Sequence, residues 1–141
     1  MRMIFVNLPV ADVTRATAFY EAIGCTRNPA FCDETTSCMV LSDAIYFMLL
    51  EHDRFRTFIT GDIADPRAGT DKLIALTCDS AEEVTALKAK ALAAGGGAWR
   101  PDMTEIPGMV QASVTDPDGH VIELVWMSQE AVAQAEAGVG A

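Results

Sequence analysis

Apolar residues alternate with a period of two in several short stretches of this chain and recur at helical spacing in two others. From Met3 to Val10, Ile4, Val6, Leu8 and Val10 share one face of a predicted strand, and Phe5, Asn7 and Pro9 the other. Pro9 cannot donate to a ladder, which places this strand at an edge or puts Pro9 at its end. Asp12 is a suitable N-cap for a helix whose apolar face is Ala16, Phe19, Tyr20 and Ile23, and Gly24 is placed to end it. An extended piece at Cys25–Asn28 and a polar stretch at Cys32–Ser37 follow. Two strands then come at Cys38–Ser42 and Ala44–Glu51, turning at Ser42-Asp43. The order is β-α-β-β-β.

The same order returns. Leu73–Cys78 reads as a strand, and Ser80-Ala81-Glu82-Glu83 has the form of a capping box. Val84, Leu87, Ala91 and Ala94 form a helix face, Gly95-Gly96-Gly97 stops the helix, and extended pieces follow at Trp99-Arg100, Gly108–Thr115 and His120–Trp126. Shifting the sequence by 68 residues lays Phe5 on Leu73, Asp12 on Ser80 and Phe19 on Leu87. A repeated βαβββ unit is therefore expected. Between the halves, residues 52–71 form a charged connection with Arg54, Arg56 and Arg67, read as a linker with some lid character. Its Phe55 and Phe58 are candidates for a short helix covering an apolar surface.

The stretch Asp116–Trp126 carries the main chemical question. Asp116-Pro117-Asp118-Gly119 is a turn, with Gly119 where the backbone must become left-handed. In the strand that follows, Val121, Glu123 and Val125 share one face and Ile122, Leu124 and Trp126 the other. A carboxylate among aliphatic residues needs solvent, a partner or a site, which makes Glu123 the candidate catalytic or binding group.

Composition narrows the classes. With 141 residues and 50% hydrophobic content, one domain with its own core is expected. The formal charge of −10 argues against nucleic acid and favours, at long range, cationic ligands. No apolar run approaches the roughly 18 residues of a membrane span, and the N-terminal stretch lacks the pattern of a secretion signal; a cytoplasmic protein without membrane partners is expected. Cys25, Cys32, Cys38 and Cys78 have no C-x-x-C spacing and read as free thiols. Residues 128–141 form an alanine-rich tail, helical or mobile, without an assigned role.

Asn7-Leu8-Pro9-Val10-Ala11-Asp12 running into Ala18-Phe19-Tyr20, together with Asp116-Pro117-Asp118-Gly119-His120 running into Ile122-Glu123-Leu124, resembles the vicinal oxygen chelate superfamily. That superfamily includes glyoxalase I, extradiol dioxygenases, fosfomycin-resistance enzymes and bleomycin-binding proteins. The nearest likeness is to lactoylglutathione-lyase-related members. The resemblance covers residues 1–127 and implies an α+β fold. Module 1 would be residues 1–51 and module 2 residues 72–127. The modules would form a curved mixed sheet around a cleft, with helices on its outer face, in what is often a homodimer.

The resemblance also implies where a divalent metal would sit. Its ligands come from the first and last strands of each module, at positions held here by Phe5, Leu73 and Glu123 and by a residue of Ala44–Glu51. Phe5 and Leu73 cannot ligate, so the metal site is expected to be degenerate and no cofactor is expected; a residual site would combine Glu123 with Glu51 or His52. His120, beside the turn, is read as a turn or surface residue. The expected ligand cleft consists of Phe5, Asn7, Met48, Leu73, Ala75, Thr77, Val121 and Val125 beside Glu123, with Met39 and Met109 near it. The functions in view are a lyase or isomerase acting on a small oxygenated metabolite, with Glu123 as base and Arg100 as a candidate stabiliser, or a non-catalytic protein sequestering a small cationic, antibiotic-like compound. A metal-dependent lactoylglutathione lyase or dioxygenase is the third.

Overall fold

Two βαβββ modules follow one another in a computed structural model that describes residues 1–140. In the first, β1 (Ile4–Val10) leads into α1 (Val13–Ala22), then β2 (Thr26–Arg27), β3 (Thr36–Ser42) and β4 (Ile45–Glu51). A short 3-10 turn at Pro29–Phe31 lies between β2 and β3, and α2 (His52–Arg56) opens the connection. In the second, β5 (Leu73–Thr77) and α3 (Ala81–Ala93) precede β6 (Gly97–Ala98), β7 (Met109–Thr115) and β8 (Val121–Met127), and α4 (Gln129–Gly140) closes the chain. Each module forms a four-stranded mixed sheet, in the orders β1-β4-β3-β2 and β5-β8-β7-β6. β1 runs parallel to β4 and β5 parallel to β8, while the remaining pairs are antiparallel.

The caps explain why the helices begin where they do. Asp12 Oδ1 accepts from the Thr14 and Arg15 amides at 2.9 and 3.1 Å, and Ser80 Oγ accepts from Glu83 N at 3.0 Å. Gly24 and Gly95 then leave their helices with positive φ. Pro9 lies in β1, which is an edge strand, so its missing N–H costs no ladder bond on the open side. β3 starts at Thr36, two residues before the expected Cys38, because Thr36 and Ser37 already pair with Leu50 and Leu49. The last extended piece before β7 is Gly97–Ala98 rather than Trp99-Arg100. Gly97 lies so close to Thr115 that a Cβ would stand 2.8 Å from its Oγ1, and this packing fixes the pairing. In the connection, Phe55 is half-buried on α2. Phe58 lies beyond the helix, exposed, with the Arg54 guanidinium 4.7 Å from its ring centre. Residues Gln129–Gly140 of the tail are helical, with residue 141 outside the described residues, and no helix of the described residues is long and apolar enough to cross a membrane.

Both modules share one core. Leu8, Val10, Phe19, Tyr20, Met39, Phe47 and Leu49 of the first join Val84, Ala91, Val114, Ile122 and Leu124 of the second. Each large side chain so buried contributes about 1.5–3 kcal/mol. α1 and α3 touch there, and Gly96 is required where they meet. A Cβ at Gly96 would stand 2.8 Å from the Phe19 ring and from two carbonyl oxygens. The expected α+β arrangement of two βαβββ modules is thus formed, as two mixed sheets whose helix-bearing faces share the core, with no ladder joining β1 to β5 among the described residues. The opposite faces are open, with Phe5 47% and Leu73 51% exposed.

The turn Asp116–His120 fastens the second module to the first. Asp116 is fully buried and accepts from Tyr20 Oη at 2.8 Å and from the amides of Asp118 and His120 at 2.8 and 3.0 Å. Asp118 Oδ1 accepts from Ala11 N at 2.8 Å. His120 Nε2 donates to the Pro9 carbonyl at 2.8 Å, and its Nδ1 accepts from the Lys72 ammonium at 3.2 Å, which fixes the tautomer. His120 is therefore no surface residue. It is 2% exposed, because both ring nitrogens find partners inside the protein.

Candidate functional site

Glu123 sits in the middle of β8, opposite Ala75 of β5 and Ser113 of β7. Alternation puts Ile122 and Leu124 into the core and Glu123 on the open face, as the strand period requires. Arg100, in the connection after β6, donates through Nη2 to Glu123 Oε2 at 3.0 Å and through Nη1 to the Pro101 carbonyl at 3.0 Å. The amide of Gln111, a diagonal neighbour on β7, donates to the same carboxylate oxygen. What holds Arg100 there is the adjoining chain: Met103 and Gln111 exchange backbone hydrogen bonds at 2.8 and 3.0 Å, drawing residues 100–103 along the edge of β7. The Arg100 and Glu123 side chains are 27% and 9% exposed, so this is a partly desolvated ion pair. Ser113 Oγ, fully buried beside it, has no partner among the described residues.

The open face of the first sheet is apolar. A pocket of about 380 Å³ is lined by Met3, Phe5, Phe31, Cys38, Tyr46 and Met48, with Asn7 and Asn28 as its polar groups. Phe5 and Tyr46 are cross-strand partners and stack with ring centres 4.6 Å apart and 12° between planes. Burial, and secondarily the nearby Cys32, push the Cys38 thiol above its ordinary range, so it lines the pocket as a small apolar group.

The cleft residues read from the sequence thus fall into two groups. Phe5, Asn7 and Met48 line the first pocket. Leu73, Ala75 and Thr77 are exposed along β5, Val125 is half-buried and Val121 is buried beside Glu123. Within one chain the groups belong to separate sheets. Met39 lies in the core. Arg100 had no direction that its sequence could fix, and Gln111, Tyr46 and Phe31 carried no signal of their own. The parity of Gln111 with Glu123, and of Tyr46 with Phe5, appears only once the strand registers are known.

The registers also test the donor set for a metal. Asn7 pairs with Met48 and Ala75 with Glu123. With Asn7 superposed on Ala75, Met48 therefore takes the place in β4 that Glu123 takes in β8, 75 residues further along the chain. The four positions that the resemblance assigns to ligands are thus Phe5, Met48, Leu73 and Glu123, and the only carboxylate among them faces a guanidinium. That set does not fit a divalent ion, which needs three or four nitrogen or oxygen donors. Glu51 is occupied elsewhere, accepting from Val13 N at 3.0 Å at the start of α1, and His52 lines a different cavity. No group of three or more His, Cys, Asp or Glu residues among the described residues is arranged to hold a metal.

Residues 2–124 match the profile of the Glyoxalase/Bleomycin resistance protein/Dioxygenase superfamily. No curated protein matches the chain by sequence. Several solved structures share the fold. A glyoxalase-related enzyme from Fulvimarina pelagi aligns with a TM-score of 0.76 at 20% identity, over 89% of this chain and 88% of its own. The fosfomycin resistance protein FosX from Listeria monocytogenes aligns at 0.68 and 20%, over 93% and 97%. A bleomycin resistance determinant encoded on transposon Tn5 aligns at 0.60 and 20%, over 92% and 99%. At these identities the likeness is one of fold.

Proposed function

The chain belongs to the glyoxalase/bleomycin resistance protein/dioxygenase superfamily, and from that premise we propose that it is a small-molecule-binding member that works without a resident metal. The observation that carries this reading is the Glu123–Arg100–Gln111 cluster. The carboxylate at the one retained ligand position is already neutralised by a guanidinium and an amide. A ligand meeting this face finds directional donors, since Arg100 has N–H groups beyond those given to Glu123 and Pro101. The stacked Phe5–Tyr46 pair and Met48 offer a flat, adaptable apolar wall of the kind that takes aromatic or otherwise planar compounds.

The cleft of this reading is shared between two copies of the chain. β1 and β5 are edge strands with no ladder partner on their outer sides among the described residues, and Ile4, Phe5 and Leu73 expose about half their surface there. Pairing β1 of one copy with β5 of another would bury these residues and set the apolar pocket against the Glu123 face. The non-catalytic binder is favoured because Arg100 and Gln111 already hold the Glu123 carboxylate through Oε2. The lyase or isomerase reading draws on the same geometry, since a carboxylate base beside a cation is what enediolate chemistry uses.

Calorimetric titration of EDTA-treated protein with bleomycin and with the glutathione–methylglyoxal adduct tests the assignment. Binding without added metal, with no turnover, weakened at least roughly tenfold by Phe5→Ala and by Glu123→Gln, is expected. A strict requirement for a divalent ion overturns the metal-free reading, and turnover of the adduct selects the lyase. Sedimentation equilibrium should show a dimer that Phe5→Glu dissociates.

A further inference from the structure

A second cavity, of about 510 Å³, lies where the 52–71 connection meets the Asp116–His120 turn and the start of α1. It shares no residue with the apolar pocket or with the Glu123 cluster. The chain has twenty acidic and only ten basic side chains, yet Arg15, Arg56 and Arg67 all line this one cavity, together with His52. Three guanidiniums drawn from α1, α2 and the connection face two carboxylates, Asp65 and Asp118. Like charges gathered in this way repel one another unless an anion joins them.

The guanidiniums are incompletely paired. Arg15 donates to Asp118 Oδ1 at 3.2 Å while its own side chain remains 48% exposed. Among the described residues Arg56 pairs only with Asp53, at 2.7 Å, a fully exposed carboxylate that an incoming anion can replace. Arg67 has no carboxylate within ion-pair distance among the described residues. It donates Nη2 to the Pro117 carbonyl at 3.0 Å, and its stem and guanidinium lie over Gly119, where a Cβ would stand 2.8 Å from Cγ. Gly119, already required by its positive φ, also makes the seat for Arg67. A guanidinium held by backbone contacts, with N–H groups to spare, is preorganised to bind an oxyanion bidentately. Asp118 opposes an anion; Arg15 and the Ala11 amide hold its Oδ1, while its buried Oδ2 has no hydrogen-bond partner among the described residues.

We propose that this cavity binds the phosphate group of a small phosphate monoester, at a site separate from the Glu123 face. Phosphate is matched by the planar donor forks of Arg56 and Arg67, with Arg15 holding Asp118 beside them. The monoester is indicated by size. A phosphate group is a few times the roughly 30 Å³ share of a water molecule, so it fills only part of the space and leaves room for an organic portion.

The test is titration of the full-length protein with glycerol phosphate, inorganic phosphate and glycerol at constant ionic strength, because screening alone changes exposed charge pairs. Saturable binding of glycerol phosphate, tighter than that of inorganic phosphate and absent for glycerol, is expected. Arg56→Gln/Arg67→Gln should weaken it roughly tenfold or more. Arg67→Lys, which keeps the charge and the fold but loses the fork, should weaken it less, and Glu123→Gln should leave it unchanged. No saturable binding up to roughly 10 mM, equal affinity for the monoester and inorganic phosphate, indifference to the arginine substitutions, or loss in Glu123→Gln would each overturn the proposal. The last outcome would move the anion to Arg100 and leave the ligand cleft itself in place.

Discussion

Removing Arg100 should cost far more than removing the pair it forms. In Arg100→Met, Glu123, whose side chain is 9% exposed in the parent, keeps only the Gln111 amide. Breaking a buried ion pair from one side costs about 3–5 kcal/mol. Arg100 is 27% exposed, and water entering the vacated space rehydrates the carboxylate in part, so about 2 kcal/mol is the expected loss. Glu123→Gln should cost about 1 kcal/mol, because the freed guanidinium can turn toward solvent and keep its bond to the Pro101 carbonyl. The double substitution leaves no uncompensated charge. It should fall within about 1 kcal/mol of the parent, giving a coupling energy of about 2 kcal/mol. Urea unfolding of the four proteins measures this, read at constant m so that a changed unfolded state is not mistaken for lost stability. Coupling below about 0.5 kcal/mol would mean that the carboxylate and guanidinium do not depend on each other. That result would go against the reading that the pair serves binding.

Tyr20→Phe removes a donor from the fully buried Asp116 and should destabilise the protein by about 2 kcal/mol, seen as a melting temperature roughly 6 °C lower; an unchanged melt would mean that water replaces the hydroxyl. Asp12→Ala leaves two amides at the start of α1 without an acceptor and should cost about 1 kcal/mol, whereas Asp12→Ser should recover most of it. Burial pushes the Cys25 thiol from 9.0 up to about 12 and raises the Tyr20 hydroxyl well above its ordinary 10.0, in the latter case with help from Asp116. Both folded-state values lie above the unfolded ones. The stability they contribute is therefore intact below pH 9 and lost as pH rises from 9 toward 12. Denaturant titrations across that range should lose about 1.4 kcal/mol per pH unit for each proton the unfolded chain releases, and Cys25→Ala should remove the largest part of what begins near 9, with the Cys38 and Cys78 thiols, also raised by burial, supplying the rest.

Local rules carried the modules. Alternation along Ile4–Val10 and Val121–Met127, the caps at Asp12 and Ser80 and the glycines after both helices each act within a few residues, so the repeat was legible before any packing was known. What escaped depends on partners distant in sequence. The Arg100–Glu123 pair rests on a long side chain in an aperiodic connection, held in place by the Met103–Gln111 bridge. His120 looked like a surface residue because a turn histidine usually is one, and only Pro9 and Lys72 show otherwise. The division of the expected cleft into two open faces follows from both helix-bearing faces sharing one core. Neither module's pattern could report that, since each is equally apolar whichever partner it meets.

The fastening of the turn has a consequence for how the chain is made. Tyr20–Asp116, Ala11–Asp118 and Pro9–His120 join residues separated by 96, 107 and 111 positions. During synthesis, α1 and β1 emerge long before the turn that fastens them, so the Tyr20 hydroxyl, the Ala11 amide and the Pro9 carbonyl wait for these partners until residues 116–120 are released. Contacts this remote must repay a loop-closure entropy before they stabilise anything, which slows folding relative to a helical protein of the same length. The first module is thus a half-finished surface rather than an independent unit, and the interval before its completion is when neighbouring nascent chains can capture it.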